Sequence, residues 1–296
     1  MSDNTNLGKA KIEKNDEFYT RMEDIEDELQ YYKVCFKGKT VYCNCDEHSK
    51  SNFLYFFKSN FENLGLKRLL VTYKEKMGLS SVLDMYRDGL RICTKIYMLN
   101  SDGDFRSNEC IELLKQSDIV VTNPPFSLFR EFVKQLMDYD KKFLIIGSMN
   151  AITYKDFFHL LKYDKVWLGV NRPKIFITPY GQTQQFGNIY WYTNLDHKRR
   201  HEPLELTNIY SLEKYPKYDN YNAINVDKIL DIPYDYDGEM GVPISFLYRY
   251  CPQQFEIVGI SGDLAKSIIV EGKKRTGRFY IDGHRLYDRV VIRKRI

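Results

Sequence analysis

The chain has 296 residues, 43% of them hydrophobic, which is enough to bury a core in one large domain or in a domain with an extension. The net charge is only +4, no apolar run reaches the length of a membrane span, and the polar N-terminus lacks the apolar core of a signal peptide. We therefore expect a globular cytoplasmic protein whose six cysteines are reduced thiols.

The first candidate site segments precede and follow the first predicted strand. Residues 15–20 read N-D-E-F-Y-T, which by itself is typical of the approach to a helix N-terminus. The predicted strand 40–45 runs into Asp46, and this places a carboxylate where the first strand of a nucleotide-binding sheet meets its ligand. No G-x-G-x-x-G or Walker-type loop occurs in the chain. The glycine-rich loop that binds phosphate in dinucleotide- and NTP-binding proteins is therefore missing.

A metal site is the competing interpretation of this region. Cys43, Cys45 and His48 lie close together in sequence, but the second Cys or His pair of a usual zinc site is missing. We expect buried thiols and no metal.

Strand-like runs alternate with helical patterns through the first two thirds of the chain, which predicts an α/β fold with a doubly wound sheet. The predicted strands are 40–45, 67–72, 92–98, 118–122, 143–147, 165–169, 174–178 and 188–193. The last two are expected to form a hairpin around a polar loop that contains Gln182, Gln184 and Gln185. Helices are predicted at 51–63 and 127–138 from their apolar stripes.

The third predicted strand leads into Ser101-Asp102-Gly103-Asp104-Phe105. Asp104 has the chemistry to accept a hydrogen bond from an adenine amino group, and Phe105 has a face that packs on the ring. Asp-Gly is also a common turn, so this segment alone is a weak signal.

The most informative segment is Asn123-Pro124-Pro125-Phe126, which follows the apolar run of strand 118–122 and precedes a helical pattern. Ligands of open α/β sheets gather at such strand ends, and two prolines fix the backbone there. The Asn123 side chain and the Pro124 carbonyl both accept from an exocyclic NH2, and Phe126 offers a face for a flat base. The alternative is an ordinary strand-to-helix turn.

Positive charge concentrates at the C-terminus, where residues 271–296 hold nine Lys/Arg against three Asp/Glu. With Lys198, Arg199 and Arg200 as a second group, this distribution is typical of a polyanion-binding surface; a solvated tail is the alternative. Interleaved aromatic and β-branched residues favour strands with a basic face. We predict a catalytic domain over 1–200 and an extension over 201–296 with two or three strands.

Taken in order, N-D-E-F-Y-T, C-N-C-D, G-D-F and N-P-P-F with the following S-L-F-R-E-F resemble the EcoRI-type adenine-specific DNA methyltransferases, and the resemblance covers most of the chain. It implies a Rossmann-like methyltransferase sheet with a strand-rich C-terminal extension for DNA recognition. It also implies transfer of a methyl group from S-adenosylmethionine to N6 of a flipped adenine in double-stranded DNA.

Carried over to this chain, the resemblance assigns three groups of residues. The flipped adenine would be held by Asn123, Pro124, Pro125 and Phe126. The cofactor pocket would be lined by Phe18, Tyr19, Thr20, Asp46, Asp104 and Phe105, with Glu75 as the nearest candidate for the ribose carboxylate, which is otherwise not obvious. DNA contacts are expected from Lys198, Arg199, Arg200, Arg275, Arg278 and Arg293.

We further expect a monomeric, nucleoid-associated enzyme that uses no metal. Two alternatives stay open for its system: an enzyme with a cognate restriction endonuclease as partner, and a stand-alone or phage-borne enzyme. Two other classes stay open. One is an amino-group methyltransferase that acts on RNA or on a protein glutamine, and the other is a DNA-binding module without catalysis. The basic C-terminus favours nucleic acid over protein, and the set of catalytic and cofactor motifs favours an enzyme.

Overall fold

The computed structural model describes residues 18–178 and 180–295, which form two compact units. Of the described residues, the first unit contains those up to Met149 together with Leu168–Asp196, and the second contains Asn150–Trp167 and those from His197 onward. The second unit thus includes a segment from within the first 200 residues. The functional division predicted near residue 200 stays a prediction.

The helices and strands are as follows in chain order. The α-helices are α1 (Met22–Leu29), α2 (Asn52–Ser59), α3 (Asn108–Gln116), α4 (Phe129–Asp138), α5 (Lys155–Lys162) and α6 (Ser261–Leu264). The strands up to residue 193 are β1 (Tyr19–Thr20), β2 (Thr40–Cys43), β3 (Arg68–Val71), β4 (Ser81–Asp88), β5 (Arg91–Met98), β6 (Ile119–Thr122), β7 (Lys142–Ser148), β8 (Trp167–Leu168), β9 (Ile175–Ile177), β10 (Thr183–Gln185) and β11 (Ile189–Thr193). The later strands are β12 (Ile224–Asn225), β13 (Met240–Pro243), β14 (Phe255–Ile260), β15 (Ile268–Val270), β16 (Lys273–Arg275), β17 (Tyr280–Ile281), β18 (His284–Arg285) and β19 (Arg289–Lys294).

The main sheet has the order β5-β4-β3-β2-β6-β7-β11-β8. Its centre, β3-β2-β6-β7, is parallel, and these strands are almost entirely buried, as the short apolar runs of the sequence predict. The neighbours of β2 lie on opposite sides of it, with β3 on one side and β6 on the other. Strand order therefore reverses at β2, which is where open α/β sheets form their ligand crevice.

The sheet is mixed and not purely parallel, which corrects the expectation for strand 92–98. That segment is β5, and it forms an antiparallel hairpin with β4, a strand that the sequence analysis missed. Gly89 provides the turn at a φ of +59°, a left-handed conformation that glycine adopts without strain. The hairpin forms the outer edge of the sheet, and β5 is largely exposed, so its sequence carries no clean inside/outside alternation.

The hairpin predicted between 174–178 and 188–193 is wrong. Strand β9 pairs instead with β1 and β10 in a separate three-stranded sheet. Strand β11 joins the main sheet antiparallel to β7. The polar turn lies between β9 and β10, so the Gln-rich segment forms one of the paired strands as well as the loop.

A buried carboxylate anchors the turn that leads into β9. Glu28 accepts hydrogen bonds from the backbone N–H groups of Val170 (2.8 Å) and Asn171 (2.6 Å) and from the Tyr32 hydroxyl (2.9 Å). Burial raises the pKa of Glu28 to about 7. The turn therefore depends on a single acidic side chain of α1.

Both predicted helices are present but shorter than expected. Ser51 caps α2, its hydroxyl accepting from the Leu54 N–H at 3.2 Å, and the predicted stripe of Phe53, Leu54 and Phe57 is buried. Helix α4 begins only at Phe129, because Pro124 and Pro125 hold the chain extended and a 3₁₀ turn over Phe126–Leu128 follows.

The second unit contains the sheet β12-β13-β19-β14 and the two-stranded pairs β15-β16 and β17-β18. One of its buried clusters contains Phe279, whose ring stacks with those of Tyr218 (4.3 Å between ring centroids) and Tyr221 (5.1 Å). The region has more strands than the two or three predicted. Most of them are two to four residues long, too short to produce a periodic pattern.

Candidate active site and basic surface

A cavity of about 290 Å³ opens at the carboxyl ends of the central parallel strands, entirely within the first unit. Residues that follow β2, β3 and β6 line it, together with the segment around β1. Of the predicted site residues, it brings together Phe18, Tyr19, Thr20, Asp46, Glu75, Asp104, Phe105, Asn123 and Pro125. Segments separated by more than 100 residues in sequence therefore converge on one small space.

Asn123 follows the last residue of β6, and its side-chain amide is bonded at one end only. Its Nδ2 donates to the Phe18 backbone carbonyl at 2.6 Å. Its Oδ1 is buried, and no described residue donates to it. Unpartnered buried acceptors are rare and commonly mark a functional position.

The rest of the N-P-P-F segment frames this amide. Pro125 lines the cavity, whereas Pro124 is buried and Phe126 is half-buried. The Phe126 ring stacks on Phe18 with centroids 6.3 Å apart and an interplanar angle of 22°. Phe126 therefore sits beside the cavity in an aromatic cluster and is not part of the lining itself.

The segment before α1 forms one wall. The Tyr19 hydroxyl donates to Glu47 at 2.8 Å, and the Thr20 carbonyl accepts from the Asn52 side chain at 2.7 Å. The Thr20 hydroxyl is buried, and no described residue pairs with it. It is the second unpartnered polar atom in the lining. Asn15, Asp16 and Glu17 of the same motif lie outside the described residues.

Asp46 is buried at the switch point of the sheet and connects two neighbouring elements. Its carboxylate accepts from the Thr122 hydroxyl (2.6 Å), at the end of β6, and from the Ser51 hydroxyl (2.7 Å), which caps α2. Burial raises the pKa of Asp46 to about 6. The side chain therefore fixes the residue before Asn123 as well as lining the cavity.

Asp104 is bonded to cations on both oxygens. Arg106 contacts it with Nε (2.8 Å) and Nη2 (2.7 Å), and Lys74 contacts it with Nζ (2.7 Å). The Arg106 guanidinium, assisted by Lys74, holds the pKa of Asp104 well below its usual range. The neighbouring Phe105 is buried edge-on against Phe132 at 5.0 Å. In this arrangement Asp104 stabilises the loop that presents Phe105.

Two loops meet at this wall of the cavity. Gly103 has a φ of +79°, and a Cβ there would lie 2.1 Å from the Tyr73 carbonyl oxygen, so only glycine fits. The Glu75 N–H donates to the Asp102 carbonyl at 2.7 Å, and the Glu75 carboxylate accepts from the Tyr73 hydroxyl. Glu75 thus lies in the lining, a few residues after β3, where a ribose-binding carboxylate is expected.

The structure offers no support for a metal at Cys43, Cys45 and His48. The Cys43 thiol is buried, and a ring nitrogen of His48 lies 3.0 Å from the Val71 carbonyl oxygen. Within residues 18–178 and 180–295, no three His, Cys, Asp or Glu side chains are grouped to hold an ion. No helix in those same ranges is long and apolar enough to span a bilayer.

The six predicted DNA-contacting residues all lie in the second unit, but their environments differ. Arg200 is buried, with Nη2 2.9 Å from Asp164 and its guanidinium 3.9 Å from the centre of the Trp167 ring. Arg199 packs on the Tyr248 ring and donates to its hydroxyl at 2.9 Å, and Lys198 is exposed. The Arg200 guanidinium is therefore buried and ion-paired, which leaves Lys198 as the more accessible charge, and the predicted DNA contact of Arg200 stays a prediction.

The C-terminal arginines divide in the same way. Arg278 pairs with Asp288 at 2.7 Å, and Arg293 pairs with Glu239 at 2.6 Å. Arg275 is exposed on β16, with no described carboxylate within ion-pair distance. Around it lies a concave surface formed by the β15-β16 and β17-β18 pairs. Its basic lining residues are Lys274, Arg275, Arg278, His284 and Arg285.

Comparison with known proteins identifies the family. A family model described as "Adenine-specific methyltransferase EcoRI" matches residues 6–295. The type II methyltransferase M.EcoRI of Escherichia coli is 47% identical over 315 residues, covering 95% of this chain and 97% of the relative. This chain belongs to the EcoRI adenine-specific methyltransferase family. The resemblance inferred from the motifs, and the enzyme class expected from it, are confirmed.

Two further relatives of this methyltransferase come from mycoplasmas. The type II methyltransferase M.MpnI of Mycoplasma pneumoniae is 39% identical, with 98% of each chain covered. The type II methyltransferase M.MgeORF184P of Mycoplasma genitalium is 38% identical, covering 97% of this chain and 98% of the relative. No solved structure matches the chain.

Several lining residues of the methyltransferase cavity were not predicted. They are Asn44, Cys45, Glu47, Lys50, Ser51, Asn52, Phe53, Tyr73, Lys74, Lys76, Gly103 and Leu128. Most of them follow β2 or β3. They could have been predicted from the rule that ligands bind at the carboxyl ends of parallel strands. Asn52 and Phe53 lie instead at the start of α2, and only the fold shows that this helix turn faces β1.

Proposed function

We propose that this methyltransferase transfers a methyl group from S-adenosylmethionine to N6 of an adenine that is extruded from double-stranded DNA. The observation that carries the proposal is the buried, unpartnered Oδ1 of Asn123 beside the cavity. An unsatisfied buried acceptor costs about 1–3 kcal/mol, and a ligand amino group that donates to it removes this cost. The exocyclic NH2 of adenine is such a donor.

In this proposal the N-P-P-F segment positions the amino group. Asn123 Oδ1 and the Pro124 carbonyl accept its two hydrogens, which aligns the nitrogen lone pair and increases its electron density. Asn123 is not a base; it acts by hydrogen bonding and orientation. Pro124 and Pro125 restrict the backbone, so the acceptors are fixed before the base arrives. Phe126, stacked on Phe18, supplies an aromatic surface for the flipped base.

The cavity lining suits S-adenosylmethionine. When bound, this cofactor would supply an electrophilic methyl group. The bond between its sulfonium sulfur and the methyl carbon would break as the adenine amino nitrogen bonds to that carbon, the sulfur would keep the electron pair as a neutral thioether, and the nitrogen would lose one proton to solvent. The unpartnered Thr20 hydroxyl is available to a polar group of the cofactor, and Phe105 is available to its adenine ring. Phe18, Tyr19, Asp46 and Glu75 complete the wall. We assign Asp104 to the same site, acting through the loop that carries Phe105.

DNA binding is assigned to the second unit, with 201–296 as the target-recognition extension of a Rossmann-like catalytic domain over 1–200. Phosphate contacts would come from Lys198, Arg199, Arg275, Arg278 and Arg293, and Arg200 would support that surface from its ion pair with Asp164. The enzyme would act as a monomer on nucleoid DNA of the cytoplasm. A cognate restriction endonuclease would be its system partner.

Methyl transfer from labelled S-adenosylmethionine to duplex DNA, RNA and protein tests the proposal directly. We expect label in DNA only, as N6-methyladenine, and loss of transfer in Asn123→Ala. Transfer to RNA or to a protein glutamine would contradict the substrate assignment. DNA binding without transfer to any acceptor would indicate a non-catalytic module.

A further inference from the structure

The Asn123 side chain has two possible orientations, related by a half-turn about its Cβ–Cγ bond. In one of them Oδ1 is the free end, and in the other Nδ2 is free. Only the first gives the substrate amino group an acceptor; the second would place a donor against a donor. The proposed chemistry therefore requires that something in the chain select between them.

We propose that the backbone carbonyl of Phe18 makes this selection, and that the strand and ring cluster behind it are positioning elements for catalysis. The inference rests on the proposed function. A carbonyl oxygen accepts hydrogen bonds and cannot donate them, and that of Phe18 lies 2.6 Å from Nδ2. In the rotated orientation two oxygens would face each other at that distance. The Phe18 carbonyl thus keeps Oδ1 as the free end.

The Phe18 carbonyl is held in place by elements outside the cavity. The adjoining strand β1 pairs with β9, with Tyr19 opposite Ile177, and β9 pairs with β10. Phe18 is buried, and its ring packs edge-on against Phe186 with centroids 4.9 Å apart. Phe186 packs in turn on Phe176 of β9 at 5.6 Å. The β9-β10 hairpin therefore reaches the catalytic amide through Phe18.

Asn123→Asp tests the selection. When the introduced carboxyl group is ionised, it would direct an oxygen at the Phe18 carbonyl. When it is protonated, it would donate to that carbonyl and leave its other oxygen as acceptor, as the amide does. The protonated form is thus the active one, and activity falls as pH rises through the pKa of the introduced group. We expect single-turnover methyl transfer about 100-fold below wild type at pH 8, recovering to within about tenfold at pH 5.

The comparison with wild type isolates the new group. The acidic and basic residues around the cavity are the same in both proteins: Asp46, Glu47, Lys50, Lys74, Glu75, Lys76 and Asp104. Asn60→Asp is the matched control, because Asn60 Nδ2 also donates to a backbone carbonyl, that of Phe56 at 2.9 Å, but lies outside the cavity. We expect the control to follow the wild-type profile. An Asn123→Asp variant that follows the wild-type profile, or stays inactive at every pH, overturns the proposal.

Phe186→Ala tests the support behind the carbonyl. Phe186 does not line the cavity, so a positioning role predicts a fall in kcat of about tenfold with a KM for S-adenosylmethionine within about threefold of wild type. Phe186→Leu should recover most of kcat. Phe61→Ala, which removes a buried ring elsewhere in the same unit, should lose stability but keep kcat. Equal kcat in the two alanine variants would overturn the role of Phe186.

These outcomes are separable from failure of the proposed function. If Asn123→Ala is folded and active, Asn123 is not catalytic and the proposed function fails. If Asn123→Ala is inactive and Asn123→Asp has an ordinary pH profile, the function stands and the orienting role of Phe18 fails.

Discussion

The cavity of the first unit and the basic concave surface of the second unit represent two different ways of building a binding site. In the cavity, polar groups such as Asp46 are buried and bonded to the protein, and two atoms, on Thr20 and Asn123, are left unpartnered among the described residues. On the basic surface, exposed charges such as Arg275 stand on strands of two or three residues.

This difference separates what each region contributes. A buried atom acts by its position, because it is held at a fixed distance from its neighbours in a low-dielectric environment. For exposed charges the number of charges matters most, because each neutralised phosphate adds a similar binding free energy and the exact geometry matters less. Substitutions in the cavity should therefore change turnover, and substitutions on the basic surface should change affinity and its salt dependence.

The largest effect is expected for Asn123→Ala. Removing the acceptor should lower kcat by about 10²- to 10³-fold, or about 3–4 kcal/mol of transition-state stabilisation, with little change in DNA affinity. Single-turnover transfer and equilibrium binding, measured on the same protein, provide the test. Asn60→Ala is the control. A reduction in DNA affinity as large as the reduction in kcat would contradict the assignment of turnover to the cavity and of DNA affinity to the basic surface.

A smaller effect, on stability, is expected for Glu28→Gln. The folded-state pKa of about 7 lies above the ordinary value of 4.5, so the stabilisation from this group is complete below pH 4.5 and lost as pH rises through 7. Denaturant unfolding at pH 5 and pH 8 should show wild type losing about 2–3 kcal/mol that the variant does not lose. If the two proteins keep a constant difference, Glu28 is already ionised when folded.

Phe126→Ala should impair capture of the flipped base more than binding of the duplex. Stacking of a base on an aromatic ring contributes about 1–3 kcal/mol, while duplex affinity depends mainly on phosphate contacts. A fluorescent adenine analogue at the target position should lose most of its flipping signal, with duplex affinity within about threefold. Retention of the full signal would remove Phe126 from the base site.

The smallest effect per residue is expected on the basic surface, where ion pairing provides a matched comparison. Lys274→Gln with Arg275→Gln removes two exposed charges, and Arg278→Gln with Arg293→Gln removes two charges that are paired with carboxylates. A plot of the logarithm of the DNA-binding constant against the logarithm of salt concentration has a negative slope. In the first double variant this slope should become less steep by about 0.9 for each phosphate that is no longer neutralised. The second should flatten it less and should also lower thermal stability, because Arg278 and Arg293 must leave their carboxylate partners to contact phosphates. Identical salt slopes in the two would show that ion pairing does not decide which charges reach DNA.

The sequence predicted the central strands and the convergence of the site motifs, because buried parallel strands are short apolar runs and ligand-binding residues follow their ends. It did not predict the β4-β5 hairpin, since an exposed edge strand carries no alternation. It also misplaced β9 and β11. Which strands pair depends on packing between residues that are far apart in sequence. The contact between the Phe18 and Phe186 rings, beside the pairing of β1 with β9, is an example.

The roles within the site were harder to predict than its membership. Asp104 was expected to accept from the cofactor, and the sequence carries no sign that Arg106 and Lys74 occupy its oxygens. The free end of Asn123 was equally invisible, because it depends on a backbone carbonyl 105 residues away. Side-chain identity predicts which chemistry is possible, but only the fold shows which lone pairs are already used.

The interleaved chain order of the two units has a consequence for synthesis on the ribosome. Helix α5 leaves the ribosome before β11 completes the first unit, yet its contacts come later in the chain. Lys162 donates to the Val258 carbonyl of β14 at 2.7 Å, and Asp164, just beyond the helix, pairs with Arg200. The contact between α5 and β14 can therefore form only after nearly 100 further residues have been translated. A fragment ending at residue 200 would lack β14 and the other strands of the second unit, so we expect such a fragment to aggregate even though it contains every residue of the cavity lining.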